Sequence, residues 1–446
     1  MIKQGETMKK NLKKIYALAL AIIFLLGTFA PLKTLAADPE VSAEGEEVEL
    51  TEEELEAKRQ AEIKAEWERQ VKKYINKDPD QLTTAYLVGD YASGEILEEK
   101  NIDDLVAIAS TTKILSIYVV LDEIKAGHIS LDDKVYIDKE ISRLGGSSYK
   151  LKEGEEIPVE DLIKAALIVS GNDATKALAK YVAGSEEAFV EKMKAKLEEL
   201  NITNYQIINS SGLPNYNIDK QNMLTTRDLF YLSRAFIKDY PEMLKITSMK
   251  ELVNLERDFK EENTNPLLGE FPQVDGLKTG YTGLAGRCLV ATALLKGDGE
   301  KTKDLRLISI TMGSNSDAAR YVAAKKLLKK SLDTYVYESL SNPNTLVASI
   351  EDDKLDPKEV NIYPKEEFSI LRKKSDFTNS TNTIEELKPP LKAGQTVGTI
   401  SYYLNGEEVF TTDLIIKQDV LEASILRKIQ GLYASLYMSL FKIFNN

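Results

Sequence analysis

A serine hydroxyl and a lysine amine three residues apart lie on one face of a helix, where the amine can take the hydroxyl proton. That spacing, Ser-x-x-Lys, occurs at Ser110 (STTK), Ser147 (SSYK) and Ser439 (SLFK), so the pattern alone does not choose among them. Ser147 follows Gly145 and Gly146 in a loop, and Ser439 falls in a terminal amphipathic stretch, whereas Ser110 is expected to open a helix after the extended run LVAIA. There the free N–H groups and the positive end of the helix dipole favour an alkoxide. A lysine acts as a base only when neutral, so Lys113 must be desolvated or stand near another cation. Lys278, in VDGLKTGYTG, is the candidate for that cation. Its flanking glycines suggest an edge strand, and Gly280 leaves room for a substrate backbone. A third element, Ser170-Gly171-Asn172, follows the apolar run DLIKAALIV, and a break at Gly171 would turn both polar side chains into a cleft. Ser-x-Asn recurs at Ser380, so the weight lies in the order of the three elements along one domain.

Composition excludes several alternatives. The chain has one histidine, His128, in the polar stretch KAGHISLDDK, and one cysteine, Cys288. A His/Cys zinc site therefore lacks ligands, and a Ser-His-Asp triad would rest on His128 alone. No metal and no cofactor is expected. Cys288 has apolar neighbours in RCLVATALL and reads as a buried structural thiol. Lys and Arg number 58 against 71 Asp and Glu, a net charge of -13, which repels polyanions and argues against nucleic acid as the partner.

These residues need a scaffold, and 446 residues with 43% hydrophobic content suffice for two or three folded units. Lys9, Lys10, Lys13 and Lys14 precede an apolar run from Ile15 to Leu26 and a small-residue end at Ala36 and Ala37, so residues 1–36 read as a secretory signal peptide. Residues 37–75 read as an acidic helical linker, with Thr51 and Glu54 spaced as a capping box. A catalytic domain is expected over 76–340. It begins with two short strands around the Tyr91–Gly94 turn and continues with helices at Thr111–Lys125, Val159–Val182, Glu186–Leu200 and Ala318–Tyr335. Strands at Arg287–Leu295 and Leu305–Met312 close its sheet, which makes the class α+β. Short alternating runs predict a small all-β domain over 344–416. Residues 417–446 place Leu421, Ile425, Ile429, Leu432, Leu436, Leu440 and Ile443 on one stripe, as expected of an amphipathic helix lying on a membrane surface.

With the three elements in place, the stretch from Thr83 to Tyr335 resembles the penicillin-binding and serine β-lactamase fold, and most closely the low-mass D-alanyl-D-alanine carboxypeptidases. The segments AYLVGDYASGEILEEKN, GGSSYKLKEGEEIPVEDLIKAALIVSGNDA, NSSGLP and VDGLKTGYTGLAGRCLVATA carry the resemblance beyond the three motifs, and the β domain and terminal helix match the family layout. The resemblance implies an antiparallel sheet flanked by helices. It makes Ser110 the nucleophile and Lys113 its base, Ser170 and Asn172 a proton relay and amide holder, and Lys278 a source of positive potential. Thr279, with Lys278 and Gly280, would bind substrate, and Arg320 in GSNSDAARY would help read its terminal carboxylate. Backbone N–H groups of Ser110 and Tyr281 would form the oxyanion hole; family members often carry His where this chain has Tyr281.

The implied activity is removal of the terminal D-alanine from a peptidoglycan stem pentapeptide through an acyl-enzyme on Ser110, with β-lactams as covalent inhibitors. The implied location is the outer face of a bacterial cell membrane. Two other functions remain: a serine β-lactamase, against which stand Gly171 in place of Asp and the lack of a Glu-x-x-Leu-Asn segment between Ser170 and Lys278, and a non-catalytic wall-binding module, against which stands the Ser110, Lys113 and Lys278 set.

Overall fold

The computed structural model describes residues 51–215, 220–424 and 429. The expected signal peptide, and the expected terminal helix from residue 425 onward apart from Ile429, lie outside the described residues. The chain divides into two units, Met1–Ala61 and Glu62–Asn446. In the first, the Thr51 hydroxyl accepts from Glu54 N (3.3 Å) while Thr51 N donates to the Glu54 carboxylate (2.9 Å), the reciprocal cap that opens helix α1 (Glu52–Lys72).

The catalytic sheet consists of β1 (Ala85–Asp90), β2 (Ile96–Lys100), β3 (Val274–Thr282), β4 (Gly286–Leu295) and β5 (Leu305–Ser314) in the order β2-β1-β5-β4-β3. Every neighbouring pair is antiparallel. Alternation along β4 explains its continuous apolar run: Cys288 and Val290 enter one core, and Leu289, Ala291 and Ala293 enter another on the opposite face. The first core is built from α2 (Lys113–Lys125), α3 (Val159–Ile168), α4 (Asn172–Ala183), α5 (Glu186–Glu199) and α6 (Thr226–Asp239). The second is covered by α7 (Asp317–Thr334), started by Ser316, whose hydroxyl accepts from Ala319 N at 3.1 Å. The class is α+β, with β3 on the free edge as its glycines suggest.

Helix α2 is the axis of the first core: all nine residues from Lys113 to Leu121 are buried, as an all-round apolar helix requires. The helix expected over Val159–Val182 is in fact two, α3 and α4, because Ser170 adopts a left-handed φ of 64° and stops the first. The linker expected over 37–75 also needs correction. Its end is not a bare spacer, since Trp67, Val71 and Tyr74, spaced to share one helical face, pack on the second core.

Beyond the catalytic domain, β6 (Ala348–Glu351), β7 (Glu359–Pro364), β8 (Thr378–Ile384), β9 (Thr396–Leu404) and β10 (Glu407–Ile416) form an antiparallel sheet in the order β6-β7-β10-β9-β8. Both borders expected for this domain move outward. Tyr335–Ser341, placed in the catalytic domain as far as the 340 boundary, pairs instead with Phe368–Lys373. At the other end, Leu421–Glu422 pairs with Leu355–Asp356, and Val420 is fully buried, exchanging backbone hydrogen bonds with Leu391 at 2.8 and 2.9 Å. Leu421 is thus a strand residue, and the helical stripe does not start there. Among the described residues no helix is long and apolar enough to cross a membrane.

Candidate active site

The chain enters the site through a tight turn. Ala109–Thr112 is a single 3-10 turn, closed by the Thr111 hydroxyl and N–H on the Ile108 carbonyl (2.6 and 3.1 Å), and α2 follows at Lys113. Ser110 therefore lies one turn ahead of the α-helix and not at its first residue, which still leaves it on the face of Lys113. The Lys113 Nζ atom is 2.9 Å from the Ser110 hydroxyl oxygen.

Lys113 has three close oxygen partners. Its Nζ donates to Asn172 Oδ1 at 2.7 Å and to the Ser211 carbonyl at 3.1 Å, with the Ser170 hydroxyl at 3.5 Å. The Asn172 amide is oriented by its Nδ2, which donates to the Gly145 carbonyl at 3.0 Å, so an acceptor oxygen faces the lysine. A neutral amine has two N–H bonds and one lone pair. In the neutral form two acceptor-only partners would take the N–H bonds and leave the lone pair for the Ser110 hydroxyl. Electrostatics agree: Lys113 is 0% exposed, and burial first, then the Lys278 cation, hold its pKa well below the ordinary lysine value, with Asp173 opposing. The Asp173 carboxylate accepts from Ser148 Oγ, Tyr149 N, Leu151 N and Ala174 N at 2.7 to 3.1 Å, fixing the loop of Gly145 and Ser147 against the start of α4.

Lys278 lies on the edge strand β3, is 1% exposed, and has the Thr279 carbonyl as its hydrogen-bond partner at 3.0 Å. Burial without a carboxylate, and then the Arg320 charge, push its pKa down to about 7. The Lys278 charge is in turn the cation that, after burial, lowers the Lys113 pKa. Gly280 keeps the approach open: a Cβ would stand 3.1 Å from both Ser110 N and the Ile108 carbonyl oxygen, so the Ser110 turn would have to give by a few tenths of an ångström. The Thr279 hydroxyl donates to Thr264 Oγ1 at 2.6 Å. Tyr281 is 55% exposed and stacks under the Arg287 guanidinium, 3.6 Å from the ring centre.

Arg320 is not a surface charge, since it is 6% exposed. It donates to Asp317 Oδ1 at 2.7 Å and to the Cys288 carbonyl at 3.2 Å, while its buried Nε has no acceptor among the described residues. Burial lowers its pKa from the ordinary value and Asp317 opposes that. Ser110, Ser170, Asn172, Thr279, Gly280, Tyr281 and Arg320 all line one cleft of about 1040 Å³, and Lys113 and Lys278 are buried beneath its floor. Among the described residues no cluster of three His, Cys, Asp or Glu side chains could hold a metal. Cys288 is free and buried, as its neighbours suggest.

Several contributors were not identifiable as such from sequence. Ser211 supplies a carbonyl to Lys113 from the turn Ser210–Gly212. Gly212, at φ 82°, is required because a Cβ there would lie 1.9 Å from the Ala109 carbonyl oxygen. The Asn-Ser-Ser-Gly turn signature was the available signal. Thr264 and Trp67 also line the cleft, and neither carries a local motif.

Comparison with known proteins agrees with this geometry. Residues 72–316 match the family described as D-alanyl-D-alanine carboxypeptidase, and residues 335–422 match the C-terminal domain of penicillin-binding protein 5. The D-alanyl-D-alanine carboxypeptidase DacC of Escherichia coli is 35% identical over 358 residues, covering 77% of this chain and 86% of that protein. Penicillin-binding protein 5 of Haemophilus influenzae superposes with a TM-score of 0.57 at 30% identity, over 76% of this chain and 98% of that one. Penicillin-binding protein D2 of Listeria monocytogenes, solved in a cefotaxime-bound form, superposes with a TM-score of 0.50 at 31% identity, over 55% of this chain and 96% of that one. A serine and a lysine 2.9 Å apart on a matching scaffold, with matches of this extent, lead to one conclusion: the chain belongs to the D-alanyl-D-alanine carboxypeptidase family.

Proposed function

We propose that Ser110 and Lys113 carry out the family's D-alanyl-D-alanine carboxypeptidase reaction by acyl transfer in two steps. The Ser110 hydroxyl gives its proton to neutral Lys113 as its oxygen attacks the carbonyl carbon of the penultimate D-alanine in a stem pentapeptide. The C–N bond breaks, and the departing D-alanine amine receives that proton, directly or through the Ser170 hydroxyl. Water then attacks the ester, giving a proton to Lys113 and a hydroxyl to the acyl carbon; the proton returns to the Ser110 oxygen. Asn172 holds the substrate amide as well as Lys113, and the N–H groups of Ser110 and Tyr281 receive the oxyanion. Lys278, Thr279 and Arg320 attract and read the substrate carboxylate, and that carboxylate in turn raises the Lys278 pKa, so binding favours the charged form.

The observation that carries this reading is the hydrogen-bond set of Lys113: two acceptor-only oxygens at 2.7 and 3.1 Å and the Ser110 hydroxyl at 2.9 Å. A β-lactam offers a strained amide in place of the D-Ala-D-Ala bond and acylates the same oxygen, consistent with the antibiotic-bound relative. The test is D-alanine release from a stem pentapeptide, with mass spectrometry of the intact protein after exposure to a β-lactam. The parent should release D-alanine and gain one adduct, mapped to Ser110. A Ser110→Ala protein that is labelled as strongly would sink the proposal.

The work place is the outer face of the cell membrane. The lysine-rich start and apolar run before Ala36 and Ala37 support export, and the leucine and isoleucine stripe after residue 424 supports attachment to the membrane surface, with the β domain between anchor and cleft.

A further inference from the structure

Trp67 is the only tryptophan in the chain, and it stands on α1, ahead of residue 72 where the family match begins. Half-buried, it meets Tyr321 edge to face with ring centres 5.4 Å apart, while also lining the active-site cleft beside Leu268, Arg287, Asp317 and Arg320. Tyr321 is itself held in place, its hydroxyl accepting from Lys325 Nζ at 2.7 Å. The indole is therefore braced against the residue that follows Arg320, and it lines the same cleft as Thr279 and Arg320.

Resting on the reading of Thr279 and Arg320 as the carboxylate readers, we propose that Trp67 forms the outer wall of the pocket for the leaving residue and selects terminal residues as small as D-alanine. An indole carries no charge, and its bulk would limit the room for a longer side chain beyond the carboxylate readers. A stem peptide ending in a larger D-residue, or a cross-linked peptide whose leaving residue continues into a second chain, meets that wall. Discrimination by one missing or extra apolar group is worth about 10- to 200-fold in an enclosed pocket, and a wall on one side should deliver the lower end of that range.

The experiment uses the full chain and two peptides, one ending in D-Ala-D-Ala and one in D-Ala-D-Leu. Trp67→Ala should raise the ratio of kcat/KM for the D-Leu peptide to that for the D-Ala peptide by about 10-fold. Trp67→Phe, which keeps an aromatic ring against Tyr321, should fall between. Val71→Ala loosens the docking of the same helix without reaching the cleft, so its ratio should match the parent's. Acylation of Ser110 by a β-lactam, measured in every variant, separates the two readings. A site that acylates normally while the Trp67→Ala ratio stays unchanged overturns the wall, as does an equal change in Val71→Ala. Loss of Ser110 acylation in the parent itself overturns the active-site reading first.

Discussion

Replacing Lys278 with Met should make the protein more stable and less active, by amounts that depend on pH. The folded chain holds this lysine at a pKa of about 7 against an ordinary 10.5, fully buried and without a carboxylate. At roughly 1.4 kcal/mol per pH unit, a protonated Lys278 costs the fold about 5 kcal/mol at low pH. The sign follows from proton counts. Between pH 7 and 10.5 the unfolded chain keeps this proton and the folded chain releases it, so stability rises with pH across that window. The penalty is complete below about pH 7 and gone above 10.5. A Met at 278 feels none of it, so its stability advantage should shrink by about 3 kcal/mol from pH 6 to pH 9. Any difference in packing between the two side chains is the same at both pH values and cancels. Relief of the repulsion on Lys113 adds in the same direction. Denaturant unfolding of both proteins at pH 6 and pH 9 measures the gap. A gap independent of pH would refute the claim that Lys278 is buried without a carboxylate partner. The loss of function should be about 10- to 100-fold in kcat/KM for D-alanine release, the size of one charge-assisted hydrogen bond.

Three further outcomes are expected. In the parent, kcat/KM should fall with rising pH around 7, as Lys278 loses its charge, and with falling pH as Lys113 gains a proton; Asn172→Asp, with an anion 2.7 Å from Nζ, should move the acid limb to higher pH. Gly280→Ala should slow β-lactam acylation by about 10- to 100-fold with little change in melting temperature, because the new Cβ lies 3.1 Å from Ser110 N and displaces the nucleophile's turn. Truncation after residue 424 should release the protein from the membrane fraction with its melting curve intact, whereas truncation before Val420 should also destabilise the β domain, since Val420 is part of its core.

The residues proposed to react were legible as candidates because each belongs to a short local pattern: a hydroxyl and an amine one turn apart at Ser110 and Lys113, and a glycine-flanked lysine at 278. The edge position of β3 was legible for the same reason, since Gly276 and Gly280 thin out one strand. What escaped were contacts made across long stretches of chain. Ser211 reaches Lys113 from 98 residues away, and Thr264 meets Thr279 from a loop with no motif of its own. Trp67 sits among acidic residues that read as solvated, and its role depends on Tyr321, far along the chain. The domain borders slipped because no glycine or proline separates α7 from the strand that begins at Tyr335, and because Leu421 fits a helical stripe and a strand equally well. Periodicity over a few residues cannot decide between those two.

The proposed chemistry requires the amine of Lys113 to be uncharged in the resting enzyme. Nitrogen-15 NMR of the side-chain amines in lysine-labelled protein at pH 7 reads this directly, with Lys113→Ala to identify the signal. One resonance at the neutral-amine position, absent from the variant, is expected; a Lys113 signal at the ammonium position would rule out lysine as the resting base.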